Sequence, residues 1–406
     1  MIRFVRNTLI LFVSLIIING CATHKGQEVG PTPILQAQKE FKEEELLDVG
    51  IAVFKSNELT EEEAKEEGTN AEIRKAEGHY MPYVLETTLQ ESSHWGAVRV
   101  LPSEETVVDL LVKGEIIESN GEHLVVKVDL VDATGKTWMT KAYEAQATEN
   151  TYIDNKEGKK DAFQDLYNTI ANDMAAYKKQ LTPDEIKTVR TVSKLKFADD
   201  FAPEAFGGYL SKNKENITTI TRLPADDDPM MARLLKIRER DQMYVDTLNE
   251  YYEGFYNEMW SPYEDWRKAN YVEQTAIRSI KRKALLQKLV GALMVAAAIG
   301  LGVGDVQGTA ALQSVMVIAG GAVIINGFNV SKEAEIHRDA IQELSESFGK
   351  EMKPITVEFQ GETYKLTGSA EEQYKHWREL LRQIYYKETG FVEPDAADKD
   401  HPADKQ

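Results

Sequence analysis

One cysteine, Cys21, in 406 residues rules out an internal disulfide and leaves stability to packing. Basic side chains are also scarce: 48 Lys and Arg stand against 67 Asp and Glu, a formal net charge of −19. A surface of that sign argues against nucleic acid as a partner and against electrostatic docking on anionic lipid. Catalytic signatures are missing too. The seven histidines (His24, His79, His94, His123, His337, His376 and His401) form no H-E-x-x-H pattern, and no serine lies in a G-x-S-x-G elbow. The run Asp226-Asp227-Asp228 lacks the Gly and the twelfth-position Glu of a calcium loop, and reads as a solvated capping turn before a helix. No cofactor, metal site or enzymatic activity is expected. Apolar residues are plentiful at 42 %, enough for a real core in two domains and a tether.

The cysteine has an informative position. Residues 1–20 open with Arg3 and Arg6, continue through the apolar run Leu9–Ile18, and end in Asn19-Gly20 directly before Cys21. A basic start, a short apolar core and small residues at the cut are the marks of a secretory signal. With Ile18 in the aliphatic position and Gly20 before the cysteine, the junction resembles a bacterial lipoprotein signal-peptide box. That resemblance implies cleavage before Cys21 and its acylation, and two or more chains give stable anchoring. Ala22 follows, not Asp, which implies the outer membrane, with the protein facing the periplasm. Residues 21–43 then read as a flexible tether.

A folded domain is expected over 44–180. Leu47–Phe54 reads as a strand, Ile73–Gln90 as an amphipathic helix with a start or kink at Pro82, and Trp95–Leu101 as a second strand stopped by Pro102. Val107–Ile117, His123–Val131 and Trp138–Ala145 follow as three antiparallel strands. Asn120-Gly121 and Thr134-Gly135 supply the tight turns between them, because such turns need positive φ. Leu124, Val126, Val128 and Leu130 alternate with Val125, Lys127 and Asp129, so one sheet face is core and the other partly wet. Lys159–Tyr177 closes the unit as a helix, with Phe163, Leu166, Ile170 and Met174 at helical spacing. The fold class is α+β: a mixed sheet with helices on one face, followed by a largely helical region.

Three stretches carry a resemblance: Val49–Phe54, the run Val112-Lys113-Gly114-Glu115-Ile116-Ile117, and Leu124–Trp138 with its Asp132-Ala133-Thr134-Gly135 turn. Together they resemble the amino-terminal domain of TolB-like proteins and the α/β domain of curli-secretion-type lipoproteins. The resemblance covers about a third of the chain. It implies an assembly or protein-binding module of the cell envelope.

Residues 181–288 read as a connector and long aromatic-rich helices. Thr182 and Pro183 start one helix. Another begins near Met230, and Pro262 should kink or split it. Tyr244, Tyr251, Tyr252, Phe255, Trp260 and Trp266 form an aromatic stripe, open to two readings: packing against the first domain, or a recognition surface. Arg233, Arg238, Arg240 and Arg267 are expected to pair with Asp241, Asp246 and Asp265 along the helix itself. Residues 289–330 contain two nearly uncharged runs around Asp305, an apolar helical hairpin. Ala292, Ala296, Gly300 and Gly304 recur every four residues, so one helix face is small enough for close backbone approach. The pattern resembles the glycine-zipper hairpins of envelope lipoproteins. Membrane insertion, burial in the domain and packing against copies of itself all remain open. The basic cluster Arg278, Lys281, Arg282, Lys283 and Lys288 precedes the first run, which reverses the positive-inside pattern of an inner-membrane hairpin. Over 331–392 a helix, a β-hairpin (Ile355–Phe359 with Thr363–Leu366) and a helix capped by Ser369 and Glu372 follow; 393–406 is an acidic tail of disordered composition. The reading is a lipid-anchored, non-enzymatic interaction or assembly protein of the envelope that self-associates or binds other envelope proteins; the runner-up is a lipid- or glycan-binding carrier.

Overall fold

The computed structural model describes residues 31–56, 59–153, 160–300, 336–348, 352–359 and 362–390, with the backbone alone over 280–300. Ile34–Gln406 forms one unit and Met1–Pro33 another. The first unit is α+β. Its main sheet runs in the order β3-β1-β4-β5-β6, with short β2 (Lys55–Ser56) beside β4. β1 (Val49–Ala52) lies between two parallel neighbours, pairing Val49 with Val98 of β3 (Val98–Leu101) and with Leu110 of β4 (Leu110–Ser119). β4, β5 (His123–Asp132) and β6 (Thr137–Gln146) are antiparallel. Parallel strands need a helical crossover. Helix α2 (Ala71–Ser92), preceded by the short α1 (Glu61–Glu67), carries the chain from β1 to β3.

The alternation along β5 is realised: Leu124, Val126, Val128 and Leu130 are sealed in the core while Val125, Lys127, Asp129 and Val131 are partly exposed. Gly121 (φ +76°) and Gly135 (φ +89°) turn the hairpins where the Asn-Gly and Thr-Gly steps foretold. After the short α3 (Glu149–Ile153), α4 (Gln164–Lys178) lies on the inner face with α2. It starts later than expected, since Phe163 serves as its N-cap. α5 (Pro183–Phe201) opens with the reciprocal Thr182–Glu185 cap. The short α6 (Pro203–Phe206) and a two-stranded ribbon, β7 (Leu210–Lys212) with β8 (Thr218–Ile220), lead to α7.

α7 is a single helix from Pro229 to Gly300, 72 residues long. Asp228 caps it, its Oδ1 accepting from the amides of Met230 (2.8 Å) and Met231 (3.1 Å). Pro262 does not split it: the carbonyl four residues back belongs to Glu258, an exposed residue, where no protein donor is needed. Pro82 likewise lies inside α2, and the carbonyl it orphans, that of Gly78, accepts instead from the amide of Phe54 at 2.9 Å. A helix over 336–348 (α8), the hairpin β9 (Ile355–Phe359) and β10 (Glu362–Leu366), and α9 (Ala370–Thr389) complete the unit. A continuous apolar core runs from Leu47 to Tyr386, so the stretches expected as 44–180, 181–288 and 331–392 share one interior.

The tether needs correction at its carboxyl end. Over 34–46 the chain is laid on the body: the Leu35 amide donates to Asn172 Oδ1 (2.8 Å) and that of Ala37 to the Ser92 carbonyl (2.9 Å). Arg190 reaches the carbonyls of Glu43 and Leu46.

Candidate functional site

The aromatic stripe is not a recognition surface. Tyr244, Tyr252, Phe255 and Trp266 are buried, and Tyr251 and Trp260 are half-buried against the same core. Tyr244 stacks on Trp377 of α9 (centroids 4.9 Å apart) and Tyr251 on Phe348 of α8 (4.8 Å). Large apolar rings on an amphipathic helix go where most area leaves water, and two later helices supply that cover. The charged residues of α7 also depart from expectation, since most reach across to other elements. Arg238 faces Asp109, Asp241 takes Arg378 from α9 at 3.0 Å, and Asp246 holds Arg99 of β3 at 2.5 Å. Arg267 keeps one partner on its own helix, Glu264, and finds a second elsewhere.

That second partner lies in a buried polar joint between α7 and the body. Arg267, 1 % exposed, makes two hydrogen bonds to Asp161 (2.8 and 3.2 Å), whose carboxylate also accepts from Tyr80 (3.1 Å). Nearby, Glu77 is fully buried and accepts from Arg74 (2.5 Å), Ser119 (2.6 Å) and Tyr263 (2.7 Å). Burial alone would lower the Arg267 guanidinium, but Asp161, Tyr263 and Tyr80 hold it well above the ordinary arginine value. Asn270 donates to the carbonyls of Glu67 and Asn120, both at 2.8 Å. Two glycines permit this approach. A Cβ on Gly121 would stand 2.3 Å from the Arg267 carbonyl, and one on Gly68 2.1 Å from Asn270 Oδ1.

Along the sheet edge, Asn249 closes β3. Its Oδ1 accepts from the Val100 amide (2.7 Å) and its Nδ2 donates to the Val100 carbonyl (3.0 Å), as a neighbouring strand would. Contacts to α7 therefore progress along the sheet. Arg238 meets Asp109 just before β4, Asn270 meets Asn120 just after it, and Arg278 then pairs with Glu122 in the β4–β5 turn (2.6 Å). The strap over 34–46 lies at the opposite end, where Leu47 and Gly96 precede β1 and β3. There a crevice of about 580 Å³ opens between the strap (Ala37, Phe41) and Gln90, Ser93 and Trp95. Lys178 sits beside it, 4.4 Å from the Phe41 ring, its amino group pushed down to about 8 by burial.

Cys21 and Gly304 lie outside the described residues. Ala292, Ala296 and Gly300 fall on the last three turns or so of α7, in the helical conformation their spacing requires. Among the described residues no group of three or more His, Cys, Asp or Glu is placed to hold a metal ion, and no helix is long and apolar enough to cross a membrane. Sequence reasoning missed the joint. Asp161, Glu77 and Asn270 belong to no motif, and the nearest signal was that Arg267 and Asn270 stand four positions after Tyr263 and Trp266, on the same face of the helix. No family model, no curated protein and no solved structure matches this chain.

Proposed function

We propose that this protein is a lipid-anchored, non-enzymatic interaction or assembly component of a bacterial envelope, held at the outer membrane through Cys21 and facing the periplasm. In this reading the α+β body is a rigid spacer between two hydrophobic elements. The carrying observation is the opposed placement of the strap and the outgoing end of α7. Cys21 lies thirteen positions before Ile34, so an extended linker reaches at most about 45 Å. β4, ten residues, spans about 30 Å, and the nineteen residues of helix from Asn270 to Leu289 add about 28 Å. In this reading the apolar run therefore leaves the body at the end away from the anchor. The Gly/Ala-rich segment then serves another surface, and its four-residue spacing of small side chains suits packing against copies of itself.

The test is the mass of the full chain extracted in detergent, by light scattering and native mass spectrometry. The expected result is a discrete oligomer carrying acyl groups on Cys21, which Gly300→Leu reduces to a smaller species. A monomer that co-purifies with a lipid or glycan would replace this reading with the carrier one.

A further inference from the structure

We propose that β6 pairs edge to edge with β6 of a second copy, in antiparallel register centred on Ala142, to make one sheet continuous across two molecules. This surface is separate from the Gly/Ala segment invoked above and does not rest on it.

The two edges of the main sheet are treated differently. β3 is closed by Asn249, which satisfies both backbone groups of Val100. β6 ends the strand order on the other side, and among the described residues no strand pairs with its outer edge. It is ten residues long, with neither proline nor glycine, and Thr140, Lys141, Ala142, Glu144 and Gln146 are exposed. Free edges of that length are ordinarily guarded by a charge, a proline or a covering element. The two charges of β6 both turn to its own chain: Lys141 is drawn over the inner face, 2.6 Å from Asp173 of α4 and 4.7 Å from the Tyr143 ring, and Glu144 lies 3.9 Å from His123 of β5.

The side chains choose the occupant and the register. Met139, Lys141 and Tyr143 lie opposite the core residues Leu130, Val128 and Val126 of β5, whereas Thr140, Ala142 and Glu144 lie opposite Asp129, Lys127 and Val125. Opposed residues in an antiparallel pair share a face, so a two-fold axis must pass through one residue. Centred on Lys141, the axis would set lysine against lysine. Centred on Tyr143, it would shorten the overlap to 140–146. Centred on Ala142, it pairs 138–146 in full and brings no like charges together. The smallest side chain then meets itself, Thr140 meets Glu144, and Lys141 meets Tyr143, extending the cation–aromatic contact already present within one chain. Because the β3 edge is closed, pairing through β6 stops at two copies instead of propagating as a fibre.

The register makes the test specific. At directly opposed positions the Cα atoms lie roughly 4.5–5.5 Å apart, within disulfide range. In the full chain in detergent, Ala142→Cys should give a covalent dimer on mild oxidation. Thr140→Cys and Glu144→Cys should each give none alone, and the double variant should restore it. Wild type, whose only thiol position is Cys21, sets the background. Ala142→Asp should abolish the pairing by setting two carboxylates face to face, while Lys127 opposite it in β5 keeps the strand folded. The crosslink should persist in Ala142→Cys/Gly300→Leu, so that loss of the larger oligomer and loss of this contact are read separately. No crosslink at Ala142→Cys, equal crosslinking at Thr140→Cys, or a two-copy species that survives Ala142→Asp would each overturn the proposal.

Discussion

Glu86 is buried on α2 with Gln90 donating to it and the carboxylate of Glu253 nearby. Burial, helped by Glu253, raises its pKa from 4.5 to about 7. A carboxyl whose folded pKa lies above its unfolded value holds its proton longer when folded. Its favourable contribution is therefore intact below about pH 4.5 and is lost as pH rises towards 7. Unfolding free energy should fall over that window by on the order of 3 kcal/mol. Urea titrations from pH 4.5 to 8 should show this slope in the wild type, and Glu86→Gln should flatten it and raise stability at pH 8. Arg267 and Asp161 form a pair that survives burial because each satisfies the other. Asp161→Ala leaves the buried guanidinium with Glu264 as its remaining carboxylate partner and should cost about 3 kcal/mol, whereas Arg267→Met combined with Asp161→Leu should cost less than the single change. A urea midpoint for the double variant below that of Asp161→Ala would count against the pair as the source of the penalty. These groups were not legible as a site, because the partners of this buried ion pair stand 106 residues apart and no local spacing records that.

At the scale of elements, α7 is fastened by close approach at the glycines and released where nothing faces it. Gly121 has φ +76° and its Cβ position falls on the backbone of Arg267, so Gly121→Ala should destabilise by more than about 2 kcal/mol through strain and displacement of the helix. Gly254, on the same helix, has open space around its Cβ position, and Gly254→Ala should stabilise by about 0.5–1 kcal/mol through helix propensity. Opposite shifts in urea midpoint for these two glycine-to-alanine changes would locate the joint; equal shifts would refute it. Strands, turns and caps were legible here because each depends on neighbours in sequence. The alternation of β5, the Asn-Gly turn and the Thr182, Asp228 and Ser369 caps all fall where expected. Pro82 and Pro262 do not end their helices: the carbonyl Pro82 frees takes the amide of Phe54, and the one Pro262 frees belongs to the exposed Glu258.

At the scale of the whole molecule, the strap over 34–46 is docked on the body and not free. Phe41, between Lys39 and Lys178, and Arg190, on two strap carbonyls, hold it down. Phe41→Ala with Arg190→Ala should release it, speeding tryptic cleavage after Lys39 and Lys42 by at least tenfold while the urea midpoint of the body moves by less than a 1 kcal/mol equivalent. Unchanged cleavage would mean the strap is held by contacts other than these. The α+β class, the strand order along the chain and the acidic balance follow from composition and from patterns of period 2 and 3.6, which are local. Only the tertiary structure decided that the aromatic stripe is core, that 34–43 is docked, and that strap and outgoing helix lie at opposite ends of one sheet. Burial and the pairing of distant charges depend on which surfaces meet, and one helix face looks the same in sequence whether water or another helix covers it.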